Sequence, residues 1–394
     1  MSVISQSLAV IKMNVLSLPR RVWMSLAMVL AAAVVVAVLL AFLAMAKGFE
    51  ATMQSAGSED VAFFIRTGSA AELNSTVTKD QVNLISEAPG IASNDDGPLV
   101  SPELYVIVDG IKKSTGTEAN IPLRGIEPQG LAMRENFSLT QGRLFTPGTD
   151  ELIVGEGILR QFDGFELGQE VRFGKNRWTV VGVFSTGGNV FESELWADAR
   201  VIQTLYNRGS SYQSVRAKLE PGASLQSIEQ YLKQDPRLNQ EVQSEAAYFA
   251  TQGESLGYMA LFGRVISSIM ALGALAGALN TMYTSVADRA KEIATLRAIG
   301  FSNLSAFIGT LVEAMVLALI GGIIGALAAF ALFDGMNAST LGGSFTQVVF
   351  SFELSTDLIL QGIYLALIIG FISGFFPAWR ATSVPVAVAF QSRG

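Results

Sequence analysis

Charge disappears from four long runs of this chain, and no other feature restricts its fold as much. Residues 22–46, 265–287, 314–333 and 358–379 are each nearly free of charged side chains. A helix needs roughly 20 predominantly apolar residues to cross the ~30 Å hydrocarbon core of a bilayer, and all four runs meet that length. In hydrocarbon the backbone must satisfy its own hydrogen bonds, so a run of this kind is expected as a helix. Between the first two runs the sequence returns to a mixed, water-compatible composition. The expected fold is therefore membrane α-helical, with four transmembrane helices and a large α+β extracytoplasmic domain inserted between helices 1 and 2. Arg20-Arg21 ahead of the first run and Ala44-Met45-Ala46 at its end resemble parts of a signal peptide. The run exceeds the roughly 7–15 residues of a signal core, which favours a span.

Short positively charged flanks orient the spans. Lys12, Arg20 and Arg21 precede the first, Arg289, Lys291 and Arg297 lie between the second and third, and Arg380 and Arg393 follow the fourth. These segments are expected on the cytoplasmic side of the membrane, both termini included. The segment 334–357 has no Lys or Arg and is expected as a loop on the opposite side. The organisation read from sequence is an interfacial N-terminal helix at 1–21, spans at 22–46 and 265–287, and the inserted domain at 47–264. A cytoplasmic helix follows at 288–300, then 301–333 as the third span with its lead-in, the loop 334–357, the span 358–379 and a tail at 380–394. Val3, Ile4, Leu8, Ile11 and Val15 recur at helical spacing, which suggests that the first segment lies along the membrane surface.

The inserted block alternates short apolar runs with Gly, Pro, Asn and Asp, the pattern of strands and turns mixed with helices. Its clearest hairpin is 170–183, turning at Gly174-Lys175-Asn176. Ser224 is placed to cap a helix bearing Leu225, Ile228 and Leu232 on one face. A helical reading extends from Val242 towards the second span, and the first span runs on past Ala46, so both ends of the domain are expected as helical stalks. Gly253 and Gly257 weaken the second stalk by about 1 kcal/mol each relative to alanine.

Close helix packing in lipid depends on small residues, because hydrocarbon supplies no hydrophobic drive between helices. Each span has a ladder of them: Ala33, Ala37 and Ala41; Gly273 and Gly277; Gly321 and Gly325; and Ala366, Gly370 and Gly374. They fit a dimeric bundle, and packing within one chain explains them equally well. Glu313 is a carboxylate near the cytoplasmic end of a span and needs a partner or a purpose: an interhelical hydrogen bond or interfacial water accounts for it, and ion coupling is the alternative.

The absence of cysteine and histidine from 394 residues excludes disulfides, thiol catalysis and the commonest metal ligand and general base. A net charge of −7 argues against nucleic acid as a partner. No G-x-x-x-x-G-K-[ST] loop occurs, so no ATP-binding motif is found. No arrangement of Ser, Lys, Asp or Glu has a recognised catalytic spacing, and a non-catalytic subunit is expected. The most specific run directly follows the second span, Asp288-Arg289-Ala290-Lys291-Glu292-Ile293-Ala294-Thr295-Leu296-Arg297-Ala298-Ile299-Gly300. Ile293, Leu296 and Ile299 form an apolar stripe on a short helix, with Gly300 as its stop.

This run resembles the R-x-x-E-I-x-x-x-R-A-I-G signature of the bacterial ABC transporter permease family of MacB, Lol and FtsX type. Glu313 stands where that family has an acidic residue early in its third span. The resemblance covers the whole chain, including Gly142-Arg143-Leu144-Phe145, Glu151-Leu152-Ile153-Val154-Gly155, Trp178-Thr179-Val180-Val181-Gly182-Val183 and Pro377-Ala378-Trp379-Arg380-Ala381 followed by Pro385-Val386. Arg380 departs from the pair of basic residues frequent there.

The resemblance implies a mechanotransmission-type permease in which a separate cytoplasmic ATPase binds ATP and Mg, with no cofactor in this chain. Arg289, Lys291, Glu292, Ile293, Leu296, Arg297 and Gly300 would form the surface that couples to that ATPase. It further implies a second permease copy, as homodimer or heterodimer, surrounding membrane lipids, and a periplasmic adaptor of membrane-fusion type. Export of an amphiphilic compound, peptide or lipid is the leading expectation. Lipoprotein or lipid extraction and signalling to a cell-wall hydrolase are the alternatives.

Overall fold

Thirty-three residues from Val22 to Gln54 form one uninterrupted helix, roughly 50 Å long at 1.5 Å per residue. That exceeds the hydrocarbon thickness, and the helix outruns the apolar segment ending at Ala46 by two turns. The computed structural model describes residues 3–95, 97–134, 136–254, 257–342 and 346–383, so the readings on Pro385, Val386 and Arg393 lie outside the described residues. The chain divides into two units, Met1–Lys47 with Tyr258–Met336 and Phe352–Gly394, and Gly48–Gly257 with Asn337–Ser351.

The first unit is helical: α1 (Val3–Ser17), α2 (Val22–Gln54), α3 (Gly257–Asp288), α4 (Ala290–Ala298), α5 (Asn303–Phe333) and α6 (Thr356–Ser383). Of these, α2, α3, α5 and α6 are long and apolar enough to cross a membrane. Glycine sets how closely they approach. A Cβ on Gly321 would lie 2.6 Å from the Val29 carbonyl oxygen, and one on Gly325 would lie 2.4 Å from that of Ala33, which holds α5 against α2. On α6, Gly370 and Gly374 admit Ala318 and Ala314 of α5, where a Cβ would come to 2.6 Å of each methyl. The ladder of α3 is different, because among the described residues nothing lies within 4 Å of a Cβ built on Gly273 or Gly277. These two glycines therefore face away from the described part of their own chain. Instead α3 touches its neighbours along a thin seam, with Ala278 and Met282 packed on Met28 and Val29 and Gly263 against Phe42.

The first helix packs on its own chain through a mainly polar side. Ser7, Val10 and Asn14 are its buried positions, with Val10 against Gly309 of α5, whereas Val3, Ile4, Leu8 and Leu16 are exposed. The protein takes the polar side of α1 through hydrogen bonds, and the apolar stripe faces outward.

The second unit is built on a mixed sheet. Its longer strands are β1 (Val61–Arg66), β2 (Val100–Lys112), β3 (Glu118–Ile126), β4 (Ser138–Gly142), β5 (Glu151–Gly155), β6 (Glu170–Phe173), β7 (Asn176–Ser185), β8 (Leu195–Asp198), β9 (Ser214–Lys218) and β10 (Gln240–Ser244), and the two-residue strand Phe162–Asp163 pairs with the end of β2. They run in the order β6-β7-β5-β8-β3-β2-β9-β1-β10, with β4 also on β7. The hairpin expected at 170–183 is β6–β7. The helix Leu225–Gln234 begins where Ser224 accepts from the Gln226 amide, and it buries Ile228 and Leu232. The helical reading from Val242 fails at its start, because Gln240–Ser244 pairs with β1 and the helix begins at Glu245. Backbone pairing to an available strand edge overrides a local helical tendency there.

Strand alternation gives the sheet two unlike faces. Leu104, Val106, Leu123, Leu152, Val154, Val215, Ala62 and Phe64 form an apolar face, covered by helices Lys79–Ser86, Ala199–Leu205 and Leu225–Gln234. The segment expected as a loop at 334–357 contains a second hairpin, β11 (Asn337–Leu341) paired with β12 (Gln347–Ser351), which belongs to this second unit.

Candidate functional site

The segment singled out by sequence folds as a short helix with a defined stop. At the C-terminal end of α4 the Gly300 amide donates to Arg297 O and the Phe301 amide to Leu296 O, at 3.2 and 3.0 Å. This 5→2, 6→1 pair requires a left-handed residue, and Gly300 supplies φ +103°. Ile293 and Ala294 are buried, and Leu296 and Arg297 half-buried. Ile299 does not join that stripe; it is 69% exposed. Lys291, Glu292, Thr295, Ala298 and Ile299 form the outward surface.

Arg289 departs most from the sequence-based expectation. The resemblance implies a docking surface that includes it, yet its side chain is only 5% exposed. Its Nη1 donates to Glu313 Oε2 on α5 at 2.7 Å, its Nη2 donates to Asn14 Oδ1 on α1, and its Nε reaches Glu292 Oε2 at 3.5 Å. One guanidinium thus ties together α1, the start of α4 and α5. The cause is electrostatic: a carboxylate in an apolar span needs a partner, and arginine can serve several acceptors at once. Glu313 has the interhelical partner its burial demands.

Further hydrogen bonds hold the same corner. Gln6 donates to Gly300 O at 3.3 Å and accepts from the Ser302 amide at 3.0 Å, and Ser7 Oγ donates to Ser305 Oγ at 3.3 Å. Arg21 donates to Ser285 O and Oγ at 3.2 and 3.1 Å, joining the start of α2 to the end of α3. The loop that ends α4 is therefore fixed to α1, and α4 is not a free appendage. Displacement of α4 would pull on two other helices.

A second charged cluster, not anticipated from sequence, fills the other face of the inserted sheet. Register puts Trp196 beside Arg124, Arg124 beside Tyr105, Glu103 beside Ser214, and Arg216 beside Phe63. Arg124 makes bidentate pairs with Glu194 (2.6 and 2.7 Å) and Glu72 (2.9 and 2.9 Å), and reaches Glu103 at 2.9 Å. Arg134 holds Glu103 and Glu245, at 2.7 and 2.8 Å, and Arg216 holds the same two carboxylates at 2.5 and 2.6 Å. All seven side chains are at most 5% exposed. Aromatic rings line the cluster, with the Arg134 guanidinium 4.2 Å from the Phe191 centroid and that of Arg216 4.8 Å from Phe63.

Burial alone would raise the Glu72 carboxyl, but Arg124 and Arg216 outweigh it and hold the group well below the usual carboxylate range. Glu103 follows the same balance, with burial opposed by Arg134, Arg216 and Arg124. The only advance signal was an arginine inside an otherwise apolar strand, Ile-Pro-Leu-Arg-Gly-Ile at 121–126.

The motifs of the inserted domain also have structural causes. Gly142 has φ +72°, and a Cβ there would meet the Val181 carbonyl oxygen at 2.2 Å. The adjacent Arg143 clasps Glu151 through both carboxylate oxygens at 2.7 and 2.5 Å, which lowers the Glu151 pKa to about 2.

Comparison with known proteins agrees with this architecture. Residues 25–235 match the MacB-like periplasmic core domain, and residues 264–386 match the FtsX-like permease C-terminal domain. An ABC transporter permease of Methanocaldococcus jannaschii, itself uncharacterized, is 23% identical over 234 residues, covering 57% of this chain and 58% of that one. The macrolide export ATP-binding/permease protein MacB of Neisseria gonorrhoeae is 23% identical over 317 residues, or 74% of this chain and 47% of that one. The chain thus spans about half the length of the curated relatives it matches. Among solved structures, the periplasmic region of MacB from Actinobacillus actinomycetemcomitans covers 50% of this chain and 92% of its own, at 18% identity and a TM-score of 0.37. The extracellular domain of the noncanonic ABC-type transporter YknZ from Gram-positive bacteria covers 47% and 100%, at 16% identity and a TM-score of 0.36. With its periplasmic-type core domain inserted after the first of four apolar helices and its matching permease C-terminal half, the chain belongs to the ABC transporter permease family of MacB/FtsX type.

Proposed function

We propose that this chain is the permease subunit of an ABC transporter driven by a separate ATPase chain, which binds Mg-ATP and docks on the outward surface of α4. The observation that carries this reading is the Arg289 junction, which joins α4 to α5 through Glu313 and to α1 through Asn14. A push on Lys291, Glu292 and Ile299 would reach the spans through that junction without loosening the loop at Gly300. In this reading the α4 end is cytoplasmic in a bacterial inner membrane, and the inserted domain works outside. Two permease copies would meet through the free face of α3, where Gly273 and Gly277 leave room for a close neighbour. The relatives named as macrolide exporters support export of an amphiphile, with a periplasmic adaptor of membrane-fusion type as the external partner.

The test is mass spectrometry of what co-purifies with the chain from its native membrane under mild extraction. An ATPase with a periplasmic adaptor is the expected outcome. An ATPase with lipoproteins would replace export by extraction, an ATPase with a wall hydrolase would replace it by signalling, and no ATPase at all would overturn the reading. In the recovered complex, Glu292→Ala with Arg297→Ala is expected to leave ATP hydrolysis running while transport stops.

A further inference from the structure

A loop between two spans has no reason to bury apolar side chains in a separate domain, yet the hairpin β11–β12 does so. Val348, Val349 and Phe350 are 4%, 5% and 3% exposed, and Val349 belongs to the core cluster of the inserted domain. The β12 backbone is pinned through one side chain, since the Val349 amide donates to Ser193 Oγ at 2.8 Å and that hydroxyl lies 3.4 Å from Val349 O. Thr346 Oγ1 lies 3.0 Å from Tyr105 Oη. Phe350 sets its edge on Phe49, at 5.6 Å and 85°, on the part of α2 that belongs to the same unit. A Cβ added to Gly157 would reach Val349 Cβ at 3.3 Å, so the seat is closely fitted.

Position adds to this fit. Ser193 immediately precedes Glu194, the bidentate partner of Arg124, and the Arg124 guanidinium lies 5.0 Å from the Tyr105 ring centroid. Two of the hairpin's contacts, at Ser193 and Tyr105, thus adjoin the buried charge cluster of the domain. Its own ends continue directly into α5, which carries Glu313, and α6.

We propose that the hairpin is a drive arm: it delivers displacement of α5 and α6 to the inserted domain at Ser193 and Tyr105, in addition to what passes along α2 and α3. This rests on the ATPase-coupling function proposed above. Covalent continuity alone would let the domain follow only the two helices that flank it in sequence. A seated hairpin makes it follow all four. The charge cluster then has a mechanical role, as the rigid body on which the arm acts.

The experiment separates the arm from its drive without unseating it. Flexible Gly/Ser spacers are inserted between Met336 and Asn337 and between Ser351 and Phe352, at the boundaries between the two units. Because the chain has no cysteine, Lys175→Cys gives one label per copy at an exposed turn. In the complex with its ATPase, reconstituted in lipid, the label-to-label distance between two copies is measured with and without ATP and a trapping anion. The unmodified chain should show a nucleotide-dependent change, and the spacer variant should lose it while still hydrolysing ATP. A full change in the spacer variant overturns the drive arm and leaves the coupling function standing. No change in the unmodified chain during hydrolysis overturns the coupling function itself. Hydrogen exchange at residues 347–351 provides the control: slow exchange is expected in both chains, and fast exchange in the unmodified chain would overturn the seat.

Discussion

Arg289 and Glu313 meet at 2.7 Å across two helices, 24 positions apart in sequence, and each is the other's charged partner in a setting where neither could remain alone. The motif that reads as a docking surface is thus half internal: its first arginine belongs to the bundle, and the residues after it face outward. Such a division suits the coupling role proposed above, in which one side would receive a push and the other pass it on.

Removing either partner should be costly. Glu313→Ala leaves a buried guanidinium with only Asn14 and a distant Glu292, a loss of about 3–5 kcal/mol for a broken buried pair. Arg289→Met together with Glu313→Leu should recover most of that loss, since no charge is then stranded. Thermal unfolding of the detergent-solubilised chain checks both, and a Glu313→Ala protein as stable as the unmodified one would contradict the pairing.

Within the inserted domain, Arg124 offsets the repulsion among three carboxylates, those of Glu72, Glu103 and Glu194. Arg124→Met should destabilise that domain by about 3–5 kcal/mol or more, because Glu72, Glu103 and Glu194 are then left close together. Tryptophan emission offers a selective probe, since Trp178 and Trp196 are fully buried there whereas Trp23 and Trp379 are 81% and 59% exposed. A red shift at lower denaturant than in the unmodified protein is the expected result.

Acid should act on the same cluster. Glu72 and Glu103 titrate below their ordinary value of 4.5 when folded, so the unfolded chain takes up protons first as the pH falls. Their contribution is complete above about pH 4.5 and is lost below it, as the pH falls towards the folded values. Denaturation midpoints measured from neutral pH to about pH 3 should fall steeply at the acid end. Glu72→Gln should be less stable at neutral pH and show a shallower acid dependence; an unchanged slope would assign the acid sensitivity elsewhere.

The glycine ladders predict two unlike outcomes. Gly325→Val would force a side chain into the backbone of Ala33 and should separate α5 from α2, at a cost of about 1–3 kcal/mol or more for overpacking. Gly277→Val has open space within its own chain and should leave the monomer's thermal stability unchanged. If α3 is the seam between copies, the same change lowers the dimer fraction measured by light scattering. Equal destabilisation by the two substitutions would contradict the packing described here.

Local patterns in the sequence already determined much of this protein. Hydrophobic runs gave the four spans, because a helix in lipid needs only its own length of apolar residues. Capping and turn chemistry placed the Ser224 helix and the β6–β7 hairpin, both settled within a few residues. The tertiary structure alone decided the rest, because it depends on which distant segments become neighbours. The charge cluster draws its members from residue 72 to residue 245, and no periodicity marks Arg124 and Glu194 as partners before β3 and β8 lie side by side. The same holds for Gln240–Ser244, which is a strand because β1 offers it an edge, and for the Val348–Phe350 run, whose burial required a partner, Ser193, that lies 156 residues before Val349. Arg289 carries the lesson furthest: its charge placed it at a membrane boundary, but Asn14 and Glu313 decided which way it turned.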